Sequence, residues 1–161
     1  MPESTDIPQA LIEMLDYDSI TGDFTWKSDG AVAGSNAGRG YLKIGHRGRK
    51  YYCHRLAWEM TYGAIPDGML IDHIDGNKSD NSIANLRLAT KSQNGCNSKL
   101  NSKNKCGLKG VSWFPPMKAW AVEIRIGDKR LRLGYYPSKY MAHNAYRFAA
   151  GIVHKEFARH V

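Results

Sequence analysis

Cysteine is scarce in this chain of 161 residues: Cys53, Cys96 and Cys106 are odd in number and include no Cys-x-x-Cys spacing. That excludes a disulfide framework and a four-thiolate zinc site, and it fits a reducing compartment. No apolar run approaches the ~20 residues of a membrane-spanning helix. The opening residues Met1 to Asp6 have neither a basic stretch nor an apolar one, so no secretory signal is expected. The expectation is a soluble cytoplasmic protein without membrane partners. Acid is missing from one part of the chain only. Residues 91–161 hold 14 Lys and Arg against Glu123, Asp128 and Glu156, whereas residues 1–90 hold 9 against 12 acids, within a total net charge of +8. A basic half beside an acidic one points to a polyanionic partner for the former and different work for the latter. With 42% hydrophobic residues the chain can bury a core, and its length suits one compact domain or two small ones.

Residues 8–60 read as a short helix, then strands, then a second short helix. Pro8 suits the first turn of a helix that carries Leu11, Ile12 and Leu15. Ser19 to Asp23 is turn chemistry, and Tyr41–Ile44 and Lys50–Cys53 read as strands around Gly45-His46-Arg47-Gly48. His54 to Met60 reads as a helix closed by Gly63 and Pro66. Residues 95–109 are rich in Asn, Ser and Lys and nearly free of apolar side chains, the composition of a linker.

The densest chemistry lies at Asp72-His73-Ile74-Asp75-Gly76-Asn77, after the apolar strand Met69-Leu70-Ile71. A loop through Asn85, a strand Leu86–Thr90 and a helix from the N-cap Thr90 follow, a ββα order. A calcium loop fails on register: with Gly76 sixth, Ile71 and Ser82 occupy the positions that require carboxylates. An isolated Asp-His pair would be a polar turn. This pair is accompanied by His54-Arg55-Leu56-Ala57-Trp58, Asn81, Asn85-Leu86-Arg87 and Asn94.

Together these residues resemble the HNH endonucleases found in phages and as homing endonucleases, over roughly residues 15–97. The resemblance implies His73 as general base, Asp72 and Asn94 as ligands of one divalent metal, and Asn85 as a residue that holds the loop. His54 matches an upstream histidine to which no role is assigned. The chemistry suits those roles. An imidazole with an ordinary pKa of ~6.5 can take a proton from water near neutrality. One carboxylate and one amide oxygen leave most of a Mg²⁺ sphere to water and phosphate, and Mn²⁺ could occupy the same donors.

In the basic half, Trp120–Ile126 and Lys129–Tyr135 alternate strictly around Gly127-Asp128, which predicts a hairpin with Arg125 opposite Arg130 and Val122 opposite Leu133. Its apolar face is expected to be Trp120, Val122, Ile124, Leu131, Leu133 and Tyr135. Ser138 caps a helix whose Met141, Ala142, Ala145, Phe148, Ala149 and Ile152 recur at helical spacing, with Met141 and Phe148 expected in the core. Residues 107–158 resemble an AP2/ERF-type DNA-binding domain, carried by Lys109-Gly110-Val111, Trp120 to Arg125, Leu133 to Tyr136, Ala142 to Ala150 and Phe157. The resemblance implies a sheet laid in the major groove, with Lys109, Arg125, Arg130 and Arg132 as DNA contacts and Glu123 more weakly so. Lys99, Lys103 and Lys105 of the linker would follow the backbone.

The expected fold is α+β. An HNH ββα-metal unit with extra N-terminal strands (1–97) is joined by a basic linker (98–106) to a three-stranded antiparallel sheet packed on one helix (107–161). The expected function is a site-directed, Mg²⁺-dependent endonuclease acting on double-stranded DNA as a monomer, and with one site it would nick. The alternative is a non-catalytic DNA-binding regulator built on the C-terminal domain.

Overall fold

In the computed structural model, which describes residues 7–97, 100, 104–127 and 129–158, the chain divides into two compact units, Met1–Ala89 and Thr90–Val161. The first unit begins with α1 (Gln9–Glu13), which buries Leu11 and leads into β1 (Leu15–Tyr17), paired antiparallel with β2 (Phe24–Trp26). Next, β3 (Ser35–Gly38), β4 (Tyr41–His46) and β5 (Arg49–Tyr52) form a three-stranded antiparallel meander. The chain then turns directly into α2 (Cys53–Tyr62), and β6 (Met69–His73) pairs with β7 (Leu86–Thr90). The core of this unit joins Leu11, Leu15, Phe24, Ile44, Tyr51, Leu56, Ile71 and Leu86, so both helices and every strand except β3 contribute a side chain to it.

The alternation of the meander assigns its faces. Ile44 pairs with Tyr51 and both are buried, so Leu42, Ile44 and Tyr51 face the core. Lys43 pairs with Tyr52 and Gly45 with Lys50, so Tyr41, Lys43, Lys50 and Tyr52 share the opposite face.

The second unit opens with α3 (Lys91–Cys96), whose N-cap Thr90 makes a full capping box with Gln93. The sequence reading assigned this helix to the first domain. It clusters instead with the second unit, where the Lys109 ammonium donates to the Cys96 carbonyl at 2.6 Å and the Cys96 thiol lies 3.3 Å from His154 Nδ1. The division therefore falls before the motif helix, ahead of the polar stretch where composition located it.

Strands β8 (Val111–Phe114), β9 (Ala119–Ile126) and β10 (Lys129–Tyr136) form one antiparallel sheet in the order β10-β9-β8, with α4 (Lys139–His154) packed on β9. Asp128 of the expected turn lies outside the described residues. Arg130 pairs with Arg125 and Arg132 with Glu123, as alternation predicts, but a bulge then shifts the register and Gly134, not Leu133, faces Val122. One inserted residue exchanges the faces beyond it. Tyr136 therefore packs against the core, while Tyr135 stands on the outer face against Phe114 and Arg132. Leu131, near the turn end of the hairpin, is also exposed.

Helix α4 departs from its expected core too. Ala142, Tyr146 and Ala150 are its buried residues, while Met141 and Phe148 are exposed, Phe148 by 75%. The reason is close approach: the small residues on one stripe let the helix sit against the sheet, and Tyr146 alone fills the gap. Gly110 makes room for it. Its φ is +72°, and a Cβ there would lie 2.0 Å from Tyr146 Cδ2. Substituting Gly110→Ala should therefore destabilise the second unit by about 1–3 kcal/mol. Gly151→Ala, in open space on the same helix, should stabilise it by about 1 kcal/mol. Scanning calorimetry of the two variants should move the transition in opposite directions.

Candidate active site

Strand β6 ends in Asp72 and His73, and both side chains are buried, at 5% and 4% exposure. A buried carboxylate is costly unless it is paired. Here Arg87, on the neighbouring β7, donates to Asp72 Oδ2 from Nε at 3.0 Å and from Nη2 at 2.8 Å. The Asn-Leu-Arg run thus places its arginine across the sheet from the carboxylate. Sequence reasoning quoted Arg87 as part of a pattern but gave it no role, because only strand pairing brings the two together.

His73 Nε2 lies 3.4 Å from Asn81 Oδ1. Asn81 is fixed in turn: its side chain donates to the Ser79 carbonyl at 3.2 Å, and its own carbonyl accepts from the Tyr17 hydroxyl at 2.8 Å. The loop from residue 74 to 85 is closed by Asn85. Its Oδ1 accepts from the Asp75 N–H at 3.1 Å, its Nδ2 donates to the Asp80 carbonyl at 3.0 Å, and its carbonyl accepts from the Ile74 N–H at 2.8 Å. Asn85 thus sits as a clasp across the loop. The loop rests on the turn after β1, where Gly22 has φ +83° and a Cβ would lie 2.3 Å from Ser82 N. That contact requires glycine.

His73 belongs to a cluster of rings. The His54 ring lies 5.2 Å from it in a T-shaped arrangement, Tyr41 lies 6.0 Å from it, and Tyr52 stacks on His54 at 5.4 Å. Burial lowers the His73 pKa, against the opposing pull of its bond to Asn81 and the charges of Asp72, Asp75 and Asp80. Burial, with the neighbouring His73 and Arg55, pushes His54 down to about 3, and His54 Nδ1 is buried without a hydrogen-bond partner among the described residues. Both imidazoles are therefore held neutral near neutral pH. Tyr41 and Tyr52 were missed from the sequence, where they look like ordinary strand residues. The signal was their parity with Lys43 and Lys50, legible once the register is known.

Among the described residues no cluster of three His, Cys, Asp or Glu side chains is built to cage a metal. The donor set read from the sequence is the Asp72 carboxylate and the Asn94 amide, the latter carried by α3 in the second unit. These are hard oxygen donors, few in number, which fits an ion such as Mg²⁺ that keeps most of its water.

Of the DNA-contact residues read from the sequence, Arg125, Arg130 and Lys105 are exposed. Arg132 is paired with Glu123 and lies over Phe114 and Tyr135. Lys109 is bound to the Cys96 carbonyl. Lys99 and Lys103 lie outside the described residues.

Residues 51–96 match the HNH endonuclease family. Protein 3.8 of Escherichia phage T7 is 45% identical over 77 residues, 48% of this chain and 64% of that protein. The uncharacterized HNH endonuclease L560 of Acanthamoeba polyphaga mimivirus is 44% identical over 64 residues, 39% of this chain and 34% of that protein. The chain thus spans less than two thirds of either relative. The solved structure of the HNH homing endonuclease I-HmuI, described for its DNA binding and cleavage, superposes with a TM-score of 0.43 at 22% identity over 81% of this chain and 75% of that one. That superposition is too loose to bear on the site.

Within the HNH segment, His54 gives the fold a pH dependence with a defined sign. Its folded pKa of about 3 lies below the ordinary ~6.5, so the unfolded chain binds the proton first. Stability should be full above pH 6.5 and decline as pH falls from there toward 3. Thermal melts of wild type and His54→Phe across that range should show the midpoint falling less steeply in the variant.

Proposed function

We propose that this chain is a divalent-metal-dependent DNA endonuclease that hydrolyses a phosphodiester with His73 as general base. The observation that carries the reading is the buried Asp72–His73 pair at the end of a strand, inside the HNH segment, with its imidazole kept neutral. In the tautomer in which Nε2 donates to Asn81, the basic lone pair is on Nδ1, and a water held there loses its proton to it. Asn81 and the Asn85 clasp hold the ring and the loop, so the base needs little reorganisation at the moment of reaction. Arg87 fixes the Asp72 carboxylate. Asp72 would hold the ion, with Asn94 as second ligand by its place in the motif order. When bound, the ion supplies Lewis-acid stabilisation of the phosphate and of the leaving oxygen.

The second unit is the grip in this reading, an AP2/ERF-like sheet that meets duplex DNA with Arg125 and Arg130, joined by Arg132, Glu123, Lys109 and the lysines at 99, 103 and 105. One site on one chain cuts one strand, so a monomer nicks, as suits a homing endonuclease.

Conversion of supercoiled plasmid to open circle in Mg²⁺ or Mn²⁺ tests the proposal. Wild type should nick, EDTA should abolish nicking, and His73→Ala should lose about 10²–10⁴-fold in rate while retaining DNA affinity. Because burial holds the His73 pKa below its ordinary value, the base stays deprotonated on mild acidification. The rate should therefore hold as pH falls to ~6.5 and drop only below it. Metal-independent inactivity on DNA shown to be bound would leave a DNA-binding regulator.

A further inference from the structure

Helix α4 turns one face to its sheet and carries a second apolar stripe that no described residue covers. Met141 is 53% exposed, Phe148 75% and Ile152 61%. With Ala145 they fall within about 60° of one another on the helix circumference, and about 130° round from the buried stripe of Ala142, Tyr146 and Ala150. Single exposed apolar side chains are ordinary on a surface. Three large ones along successive turns of one helix form a patch, and such patches mark association.

The order of the stripe identifies what fits it. The steps from Met141 to Ala145, Phe148 and Ile152 are four, three and four residues, which read the same in both directions. With two such helices antiparallel and a two-fold axis between Ala145 and Phe148, each Met141 meets Ile152 and each Ala145 meets Phe148. A small residue faces the largest one, and flexible methionine faces branched isoleucine, so the stripe is complementary to itself. Within α4 no charge stands in the way. Arg147 and Lys139 lie more than about 100° from the centre of the stripe, whose edges are Asn144, Ala149 and Gly151.

Gly151 is a separate observation. It is helical and exposed, and a Cβ there would meet nothing within 4 Å, so neither a turn nor a neighbour among the described residues requires glycine. Glycine weakens the helix there relative to alanine. It adjoins Ile152 and lies one turn beyond Phe148, where its bare backbone admits a second helix at close range.

The area sets the strength. Phe148, Ile152 and Met141, with the small residues between them, would bury about 500–600 Å² per chain, the lower end for a specific pair. That suits a reversible dimer and is too little for a permanent one, so the chain is single when dilute.

We propose that the outer stripe of α4 is the docking face for a second copy of this chain, the two helices antiparallel about a two-fold axis. A pair carries two basic sheets, so each strengthens the hold of the other on a DNA bearing two sites. That consequence rests on the DNA-binding reading. The pairing itself rests on α4.

Sedimentation equilibrium of the full chain, free of DNA, from about 1 to about 200 μM tests the pairing. The mass of wild type should rise from the 18.1 kDa of one chain toward a plateau at twice that value. The double variant Phe148→Gln/Ile152→Gln should stay at one chain and melt as dilute wild type does, since both side chains are exposed. Tyr140→Gln removes a ring 67% exposed on the same helix but off the stripe, and should follow wild type. A wild-type mass that stays at one chain overturns the proposal. So does a mass that climbs past two chains without a plateau, or a double variant that pairs as wild type does. Pairing by a chain that fails to bind DNA would uphold the proposal and remove only its consequence.

Discussion

The burial of Asp72 is the constraint on which the site is built. A carboxylate withdrawn from water is tolerated only with a partner of opposite charge and good geometry, and Arg87 provides one from the adjacent strand. That pairing ties β6 to β7 through side chains as well as backbone. It also fixes where His73, the next residue, must emerge. The imidazole then meets its own requirement from Asn81, which is held by Ser79 and Tyr17, and the loop by Asn85. Asn81 and Asn85, both buried, thus answer demands raised by burying their neighbours. The same burial keeps the imidazole neutral, so the feature that costs stability is the one that leaves a base available.

Much of this was legible in sequence because it rests on short-range rules. Thr90 announced a helix start and forms a capping box; Ser138 caps α4 by accepting from the Tyr140 N–H. Strict alternation placed Arg125 opposite Arg130. What escaped was whatever depends on a long-range partner or a single inserted residue. The bulge between Arg132 and Gly134 has no sequence signature beyond one glycine, and it exchanged Tyr135 for Tyr136 at the core. Met141 and Phe148 look like core by period, but alanines make the closer contact and occupy the buried stripe instead. Helix α3 joined the second unit through Lys109 and His154, residues far along the chain whose contacts no local pattern encodes.

The basic residues of the second unit are not equivalent. Arg132 is held by Glu123 and by the Tyr135 hydroxyl, with its guanidinium over two aromatic rings. Its charge is therefore largely answered within the sheet, and its contribution to a polyanion is that of a fixed platform. Lys109 donates to a backbone carbonyl. Arg125 and Arg130 differ. They oppose each other across the strands as like charges, an arrangement that weakens a sheet unless something negative lies above it.

The same reasoning separates the cations of the first unit. Arg55 is paired with Glu59, Arg87 with Asp72 and Lys27 with Asp16, so these three serve the unit's own acids. The meander's cations have no acid among them in sequence and none in an ion pair among the described residues. A protein with acids to spare elsewhere in the same unit could have neutralised them at little cost. That it keeps them apart, on the face that carries the tyrosines of the His73 cluster, is a division of charge that folding alone does not require.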